Sequence, residues 1–224
     1  MSTPIFERFG RFGILSAACL AVLAGCATDP DALAVQALEG ERAVVTAGGR
    51  TIDIVPPDGY CILNDAVETG DQAISALVAR CRESNATSPD GLLTASVSHA
   101  PLFRPGAPVA GELDSLEAFL DSERGRPLLT RNATASAPEI VETYRFDDML
   151  VMLIDDPDSA AAPVSTPRYW RAFMQLNQRM VTVSASAFAG GDVDDRAVLA
   201  LLRAFTDALR TANARPSLVL PAAG

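Results

Sequence analysis

The segment YWRAFMQLNQRMVTVSASAF, residues 169–188, decides the fold class of this 224-residue chain. From Val181 to Ala187, apolar residues alternate with hydroxyl residues, which is typical of a strand with one covered face. Residues 169–176 form a second run rich in aromatic side chains, and the short polar stretch Asn177-Gln178-Arg179 connects the two runs. The segment therefore predicts two antiparallel strands joined by a tight connection.

The residues on either side extend this hairpin. Ile140–Phe146 and Met149–Ile154 bracket Asp147-Asp148, which favours a turn, so we expect a three-strand meander with residues 169–176. Residues 155–168 are predicted as a loop. Downstream, a long helix is predicted to end at Asn213, with an apolar stripe of Val198, Leu201, Leu202, Phe205 and Leu209.

The first half of the chain predicts further strands and one short helix. Ala43–Ala47 and Arg50–Val55 flank Gly48-Gly49, a strong hairpin signal, and Leu92–Ser98 indicates another strand. Residues 73–81 fit either a helix or a buried strand. After prolines that exclude regular structure up to Gly111, a short helix is predicted from the apolar positions Leu113, Leu116, Phe119 and Leu120.

Together these elements predict an α+β fold, an antiparallel sheet of hairpins and a meander covered by the long C-terminal helix. Residues 42–214 are expected to form one domain, and residues 215–224 a loose tail. Residues 26–41 are predicted to be a tether, although Asp29-Pro30 also permits a short helix through Leu38.

Residues 1–25 are typical of a lipoprotein signal peptide. Arg8 and Arg11 precede a 13-residue apolar run, Phe12–Ala24, which is shorter than a membrane-spanning helix. The run ends in Leu23-Ala24-Gly25-Cys26, which resembles a lipobox, and we expect cleavage before Cys26 and acylation of that residue. Ala27 follows the lipidated cysteine and favours the outer membrane over the inner one.

The charge of the chain excludes some partners. All 18 basic residues are arginine, and removing residues 1–25 leaves 16 basic and 27 acidic residues, a net charge of −11. Such acidity argues against nucleic-acid binding, which needs clustered positive charge. The expected contact with the membrane is therefore the N-terminal lipid.

Cys61 and Cys81 are the two cysteines that remain beyond the lipidated one. In an exported chain such a pair predicts a disulfide. A redox-active pair is the alternative, but the chain has no Cys-x-x-Cys motif.

The candidates for catalysis all have simpler structural explanations. His99 is the one histidine, and no Gly-x-Ser-x-Gly motif accompanies it. The acidic clusters occupy turn and helix-start positions, where carboxylates stabilise local structure. They are Asp147 and Asp148; Asp155, Asp156 and Asp158; and Asp192, Asp194 and Asp195. We therefore predict no catalytic residue, no metal site and no cofactor.

The run Tyr169-Trp170-Arg171 is the most suggestive binding surface, because aromatic residues and arginine are common anchors. Trp170 is expected in the core with Ala172 and Met174. Tyr169, Arg171 and Phe173 would then share the opposite face of the strand and form a partner surface.

The chain resembles a family of uncharacterised alphaproteobacterial lipoproteins with a PsbP-like α/β/α sandwich domain. The residues that carry this resemblance are Pro56–Cys61, Cys81, Tyr169–Phe173, Val181–Ser184 and Asn213. The resemblance covers residues 43–213 and implies a binding or assembly role rather than a particular reaction.

These observations predict a lipid-anchored protein on the periplasmic side of the cell envelope that acts as a non-catalytic binding or accessory module, with an envelope protein as its partner. The alternatives are a weak hydrolase that uses an acidic pair and a carrier of small apolar ligands.

Replacement of the lipobox cysteine tests the anchor. Cys26→Ser should accumulate as an uncleaved precursor without lipid, because only the thiol accepts the diacylglycerol. Mobility on gels and labelling with a radioactive fatty acid measure both effects, and globomycin should block cleavage of the wild type. Normal maturation and membrane retention of Cys26→Ser would contradict lipidation.

Overall fold

A computed structural model describes residues 33–39, 42–82, 89–131, 137–157 and 164–214. These residues form an α+β fold of two antiparallel sheets and two α-helices, as the sequence predicts. The elements are β1 Leu33–Glu39, β2 Arg42–Ala47, β3 Arg50–Ile54, β4 Tyr60–Thr69, β5 Ala73–Arg80, β6 Gly91–Ser98, α1 Val109–Asp121, a 3₁₀ turn at Arg126–Leu129, β7 Glu139–Phe146, β8 Met149–Asp155, β9 Ser165–Leu176, β10 Arg179–Phe188 and α2 Asp195–Asn213.

The β9–β10 hairpin lies near the centre of the larger sheet, whose strand order is β4-β5-β6-β10-β9-β8-β7. Its turn consists of Asn177 and Gln178, which have φ of 46° and 63°. Two residues with positive φ form the type I′ turn that matches the twist of paired strands. The hairpin is confirmed, with a connection one residue shorter than predicted.

One strand differs from the sequence-based expectation, and one segment that the sequence left open is resolved as a strand. β9 begins at Ser165 rather than Tyr169, because the last residues of the predicted loop pair with both neighbours: Arg168 with Asp155, and Ser165 with Phe188. Residues 73–80, which fitted a helix or a strand, form β5. Pairing with β4 and β6 on its two sides explains why the extended form is adopted.

The smaller sheet has the order β1-β2-β3 and contains the predicted Gly48-Gly49 hairpin. Strand β1 lies within the predicted tether, residues 26–41, and pairs with β2. Leu33 and Val35 pack partly buried against the core, which favours pairing over an extended tether. The folded region therefore reaches back at least to Leu33 instead of starting at residue 42.

The main core lies between one face of the large sheet, here called the inner face, and a layer formed by α2 and the small sheet. The predicted stripe of α2 is buried there. Two polar side chains join the elements around this core: Asn213 joins α2 to the small sheet, and Arg179 joins the large sheet to the small sheet. Asn213 accepts a hydrogen bond from Asp53 N at 3.0 Å and donates to Asp53 O at 2.8 Å, and Arg179 Nε donates to Ala47 O at 2.7 Å.

A second core lies on the opposite, outer face of the large sheet. Helix α1 and the 3₁₀ turn cover β8 and β9 there. Its fully buried members include Leu113, Leu129, Leu150, Met152 and Tyr169. The short amphipathic helix that the sequence predicts is confirmed as α1, although it begins at Val109, directly after Pro108.

Cys61 and Cys81 form a disulfide at the end of the β4–β5 pair, with their Cα atoms 5.1 Å apart. Cys81 N donates to Gly59 O at 2.9 Å beside it. The bond fastens β4, the edge strand of the large sheet, to the rest of the domain.

Reduction of this disulfide should lower the thermal midpoint. The cysteines are 20 residues apart, and closure of such a loop stabilises a protein by about 3 kcal/mol in the chain-entropy model. For a domain of this size that corresponds to about 6–12 °C. Calorimetry of residues 27–224 with and without reductant measures the shift. Two thiols that react with alkylating agent in the native, unreduced protein would show that the bond does not form.

Candidate functional site

A groove separates the covered half of the outer face from its open half. On this face helix α1 and the 3₁₀ turn lie over β8 and β9, while no helix among the described residues packs on the outer side of β5, β6 and β10. The α1 groove, as we call it, has a volume of about 470 Å³. Its lining residues are Ser75, Thr94, Ser96, Leu116, Phe119, Leu120, Leu128, Arg171, Phe173, Met180, Thr182 and Ser184.

The floor and the wall of the groove differ in chemistry. The floor is lined by hydroxyl side chains because the alternation of β10, and of its neighbour β6, places serine and threonine on the outer face. The wall consists of apolar residues from α1 and the 3₁₀ turn. At its mouth Phe119 is 42% exposed and Leu128 64% exposed. Adjacent exposed apolar side chains beside a groove are typical of a binding site.

Arg171 is the one charged residue that lines the groove within the described part of the chain. Its Nε donates to Ser184 Oγ at 3.0 Å, and its Nη1 donates to Leu129 O at 3.0 Å. Its guanidinium carbon lies 5.0 Å from the centroid of the Tyr169 ring. The Ser184 hydroxyl of β10, the carbonyl of the 3₁₀ turn and the Tyr169 ring thus hold the cation in place.

A second guanidinium lies against the same ring. The Arg131 guanidinium carbon is 4.4 Å from the Tyr169 centroid, and Arg131 donates to Ser165 Oγ at 3.0 Å and to Thr166 O at 2.7 Å. Burial lowers the pKa of both guanidiniums and raises the pKa of the Tyr169 hydroxyl. Both arginines remain charged, since an arginine pKa starts far above neutral pH.

Asp156 is the carboxylate of this cluster and is fully buried. Its Oδ2 accepts hydrogen bonds from Arg131 N at 2.9 Å and from Thr130 Oγ1 at 3.1 Å. We call Arg131, Asp156, Tyr169 and Arg171 the arginine cluster. Of these four residues Arg171 lines the groove, and Asp156 lies near enough to both guanidiniums to favour their charged forms.

The partner surface predicted at Tyr169, Arg171 and Phe173 is not an open surface. Tyr169 is 1% exposed and Phe173 is 7% exposed, because α1 and the 3₁₀ turn cover this part of β9. Arg171 lines the groove instead. The interpretation of Trp170 as a core residue on the other face is confirmed, and its Nε1 donates to Asp195 O at 2.7 Å.

Sequence reasoning missed the groove and Arg131. A signal for the outer covering layer was present, since Met149–Ile154 is a continuous apolar run rather than an alternating one. Such a run is typical of a strand that is buried on both faces, and every one of these residues is buried. A second covering layer on the outer face followed from that pattern, and α1 was the remaining amphipathic element.

The other acidic candidates take part in local structure. Asp148 pairs with Arg210, and Asp194 caps α2 by accepting a hydrogen bond from Ala197 N at 2.8 Å. Asp155 Oδ2 lies 3.9 Å from Arg168 Nε. Asp158 lies outside the described residues, as do Cys26 and the whole signal segment.

Three further observations on the described ranges concern His99, metal ligands and membrane-spanning helices. The His99 side chain is partly exposed and makes no hydrogen bond to a described residue. No three histidine, cysteine or acidic residues in those ranges are placed to hold a metal ion. No helix there is long and apolar enough to cross a membrane.

Comparisons with protein-family models, with curated proteins and with solved structures found no match to this chain. The resemblance to PsbP-like lipoproteins therefore remains a prediction, and the site has to be interpreted from its own chemistry.

Asp156→Asn should destabilise the fold. The substitution keeps the shape but removes the carboxylate charge that accepts hydrogen bonds from Arg131 N and Thr130 Oγ1 and that lies near the guanidiniums of Arg131 and Arg171. Hydrogen bonds to a charged group contribute about 1.5–3 kcal/mol, so we expect a loss of that size in the free energy of unfolding. Urea titration measures it. The matched control is Asp155→Asn, whose exposed ion pair should contribute at most about 1 kcal/mol. Equal effects of the two variants would contradict a stabilising role for the buried carboxylate.

Proposed function

We propose that this protein is a lipid-anchored, non-catalytic binding module on the periplasmic side of the cell envelope, in the outer membrane rather than the inner one. The proposed anchor is the acylated Cys26. The disulfide between Cys61 and Cys81 supports an oxidising compartment. The envelope component that it serves meets the protein at the α1 groove rather than at the covered residues Tyr169 and Phe173.

The observation that carries the proposal is the half-covered outer face. If α1 and the 3₁₀ turn served only to complete the core, we would expect the outer face to be covered completely, or its uncovered part to be bordered by polar residues. Here the cover stops beside β9 and leaves exposed apolar side chains, Phe119 and Leu128, next to a hydroxyl floor with a cation at its edge. A concave surface with an apolar wall and a few convergent polar groups is the general form of a ligand site.

The hydrolase alternative has less support. A general acid or base must reach the reacting group, and the carboxylate of Asp156 is fully buried and held by two hydrogen bonds. Its neighbour Asp155 lies beside Arg168. The carrier alternative is favoured by the groove, although a carrier would hold its ligand under α1 and not under the C-terminal helix.

Rescue of a deletion phenotype tests the binding module. Thr94→Trp should abolish rescue, because a large ring on the floor fills the groove. Val141→Trp is the matched control, since it adds the same ring at an exposed position on β7, outside the groove. His99→Ala and Asp155→Asn should rescue fully. Immunoblots and circular dichroism establish that each variant is present and folded.

The opposite pattern would overturn the proposal. If the folded groove-filled variant rescues while His99→Ala or Asp155→Asn does not, the protein acts through chemistry rather than through the groove.

A further inference from the structure

We propose that the α1 groove binds an amphipathic anion: a molecule with one carboxylate or phosphate head held by Arg171 and an unbranched aliphatic chain along the wall of α1. This inference rests on the proposed function and adds the chemical class of the ligand.

The head group follows from the charge of the arginine cluster. Within the described residues Arg171 forms no ion pair, and its Nη2 donates no hydrogen bond. A partly buried guanidinium is stabilised by an anion, and its planar donors match the two oxygens of a carboxylate or phosphate. An anionic head group bound at Nη2 would therefore give Arg171 the ion pair that it lacks within the described residues.

The hydroxyl floor supports a polar head beside the cation. Ser75 Oγ and Ser96 Oγ are hydrogen-bonded to each other at 3.1 Å. The hydroxyls of Thr94 and Thr182, in contrast, have no hydrogen-bond partner among the described residues. They are donors for the oxygens of an anion that Arg171 holds.

The chain of the ligand follows from the wall. Leu116, Leu120 and Phe173 continue inward from the exposed Phe119 and Leu128, so apolar contacts run from the mouth of the groove to its floor. The volume of about 470 Å³ lies within the usual range for small-molecule sites, about 300–1,000 Å³. Burial of a methylene group there stabilises the complex, and this contribution grows with chain length.

A peptide strand fits this site less well. Strands β6 and β10 are each paired on both sides, so their backbone groups are already used and no sheet edge opens into the groove. An extended peptide binds most readily by adding to such an edge.

The experiment measures binding to residues 27–224, which retain every described residue. The probes are 11-(dansylamino)undecanoic acid and the alcohol of the same chain, whose dansyl fluorescence increases in an apolar site. We expect the carboxylate to bind at least about tenfold more tightly than the alcohol. Dodecanoate and dodecyl phosphate should displace the carboxylate probe, and the stronger of these two competitors identifies the preferred head group. Dodecylamine and inorganic phosphate should not displace the probe.

Two variants test the groove residues. Arg171→Gln removes the charge and should make the carboxylate and the alcohol bind equally; its control is Arg168→Gln, an arginine that pairs with Asp195 outside the groove. Because Arg171 also helps to hold the 3₁₀ turn, the second variant is Phe119→Glu. Because this side chain is exposed, we expect the variant to fold. The added negative charge should lower the affinity for the carboxylate probe about tenfold or more and the affinity for the alcohol much less.

Equal binding of carboxylate and alcohol to the wild type, displacement by dodecylamine, or no response to Phe119→Glu would overturn the proposal. These results are separate from the rescue experiment. If Thr94→Trp abolishes rescue but the anionic probe does not bind, the binding module stands and the ligand class is wrong. If Thr94→Trp rescues, the proposed function fails whatever the probes do.

Discussion

The structure depends on the need to cover both faces of β8 and β9. Successive side chains of a strand point to opposite faces, and both of these strands carry bulky residues on each face. One layer is therefore insufficient: α2 covers Trp170 on the inner face, and α1 with the 3₁₀ turn covers Tyr169 and Phe173 on the outer face. Strand β10 needs less cover on the outer face, because Thr182, Ser184 and Ser186 there are hydroxyl residues. The α1 groove lies where the covered part of the outer face, over β8 and β9, meets the uncovered part at β10.

The same constraint explains why charge is buried in the domain. Arg171 points to the outer face between Tyr169 and Phe173, so the cover that these aromatic residues require also removes much of the water from the guanidinium. Tyr169 stacks against it, Leu129 O and Ser184 Oγ accept hydrogen bonds from it, and Asp156 lies close enough to favour its charged form. Burial of a charge costs free energy unless it is matched. In the cluster Asp156 lies near both guanidiniums, and Arg171 faces the groove.

The layers on the inner face are held by polar contacts as well as by the core. Asn213 is the last residue of α2. Its side chain accepts a hydrogen bond from Asp53 N and donates one to Asp53 O, so it satisfies both backbone groups of Asp53 as a neighbouring strand would. Arg179, at the start of β10, bonds to Ala47 O in the small sheet. The Asn213 contacts fasten α2 to the small sheet, and the Arg179 contact fastens the small sheet to the large sheet, so both parts of the inner layer are held over the inner face.

The sequence by itself determined the elements whose signal is local. The alternation of β10, the Gly48-Gly49 turn and the stripe of α2 depend on neighbouring residues, and each was predicted correctly. Tertiary structure decided what depends on distant partners: β1 forms because β2 offers an edge, β5 is a strand because β4 and β6 flank it, and Tyr169 and Phe173 are buried because α1 lies over them. The groove belongs to this second group. No short pattern encodes it, because its wall, floor and cation come from segments that meet only when the outer layer packs on the sheet.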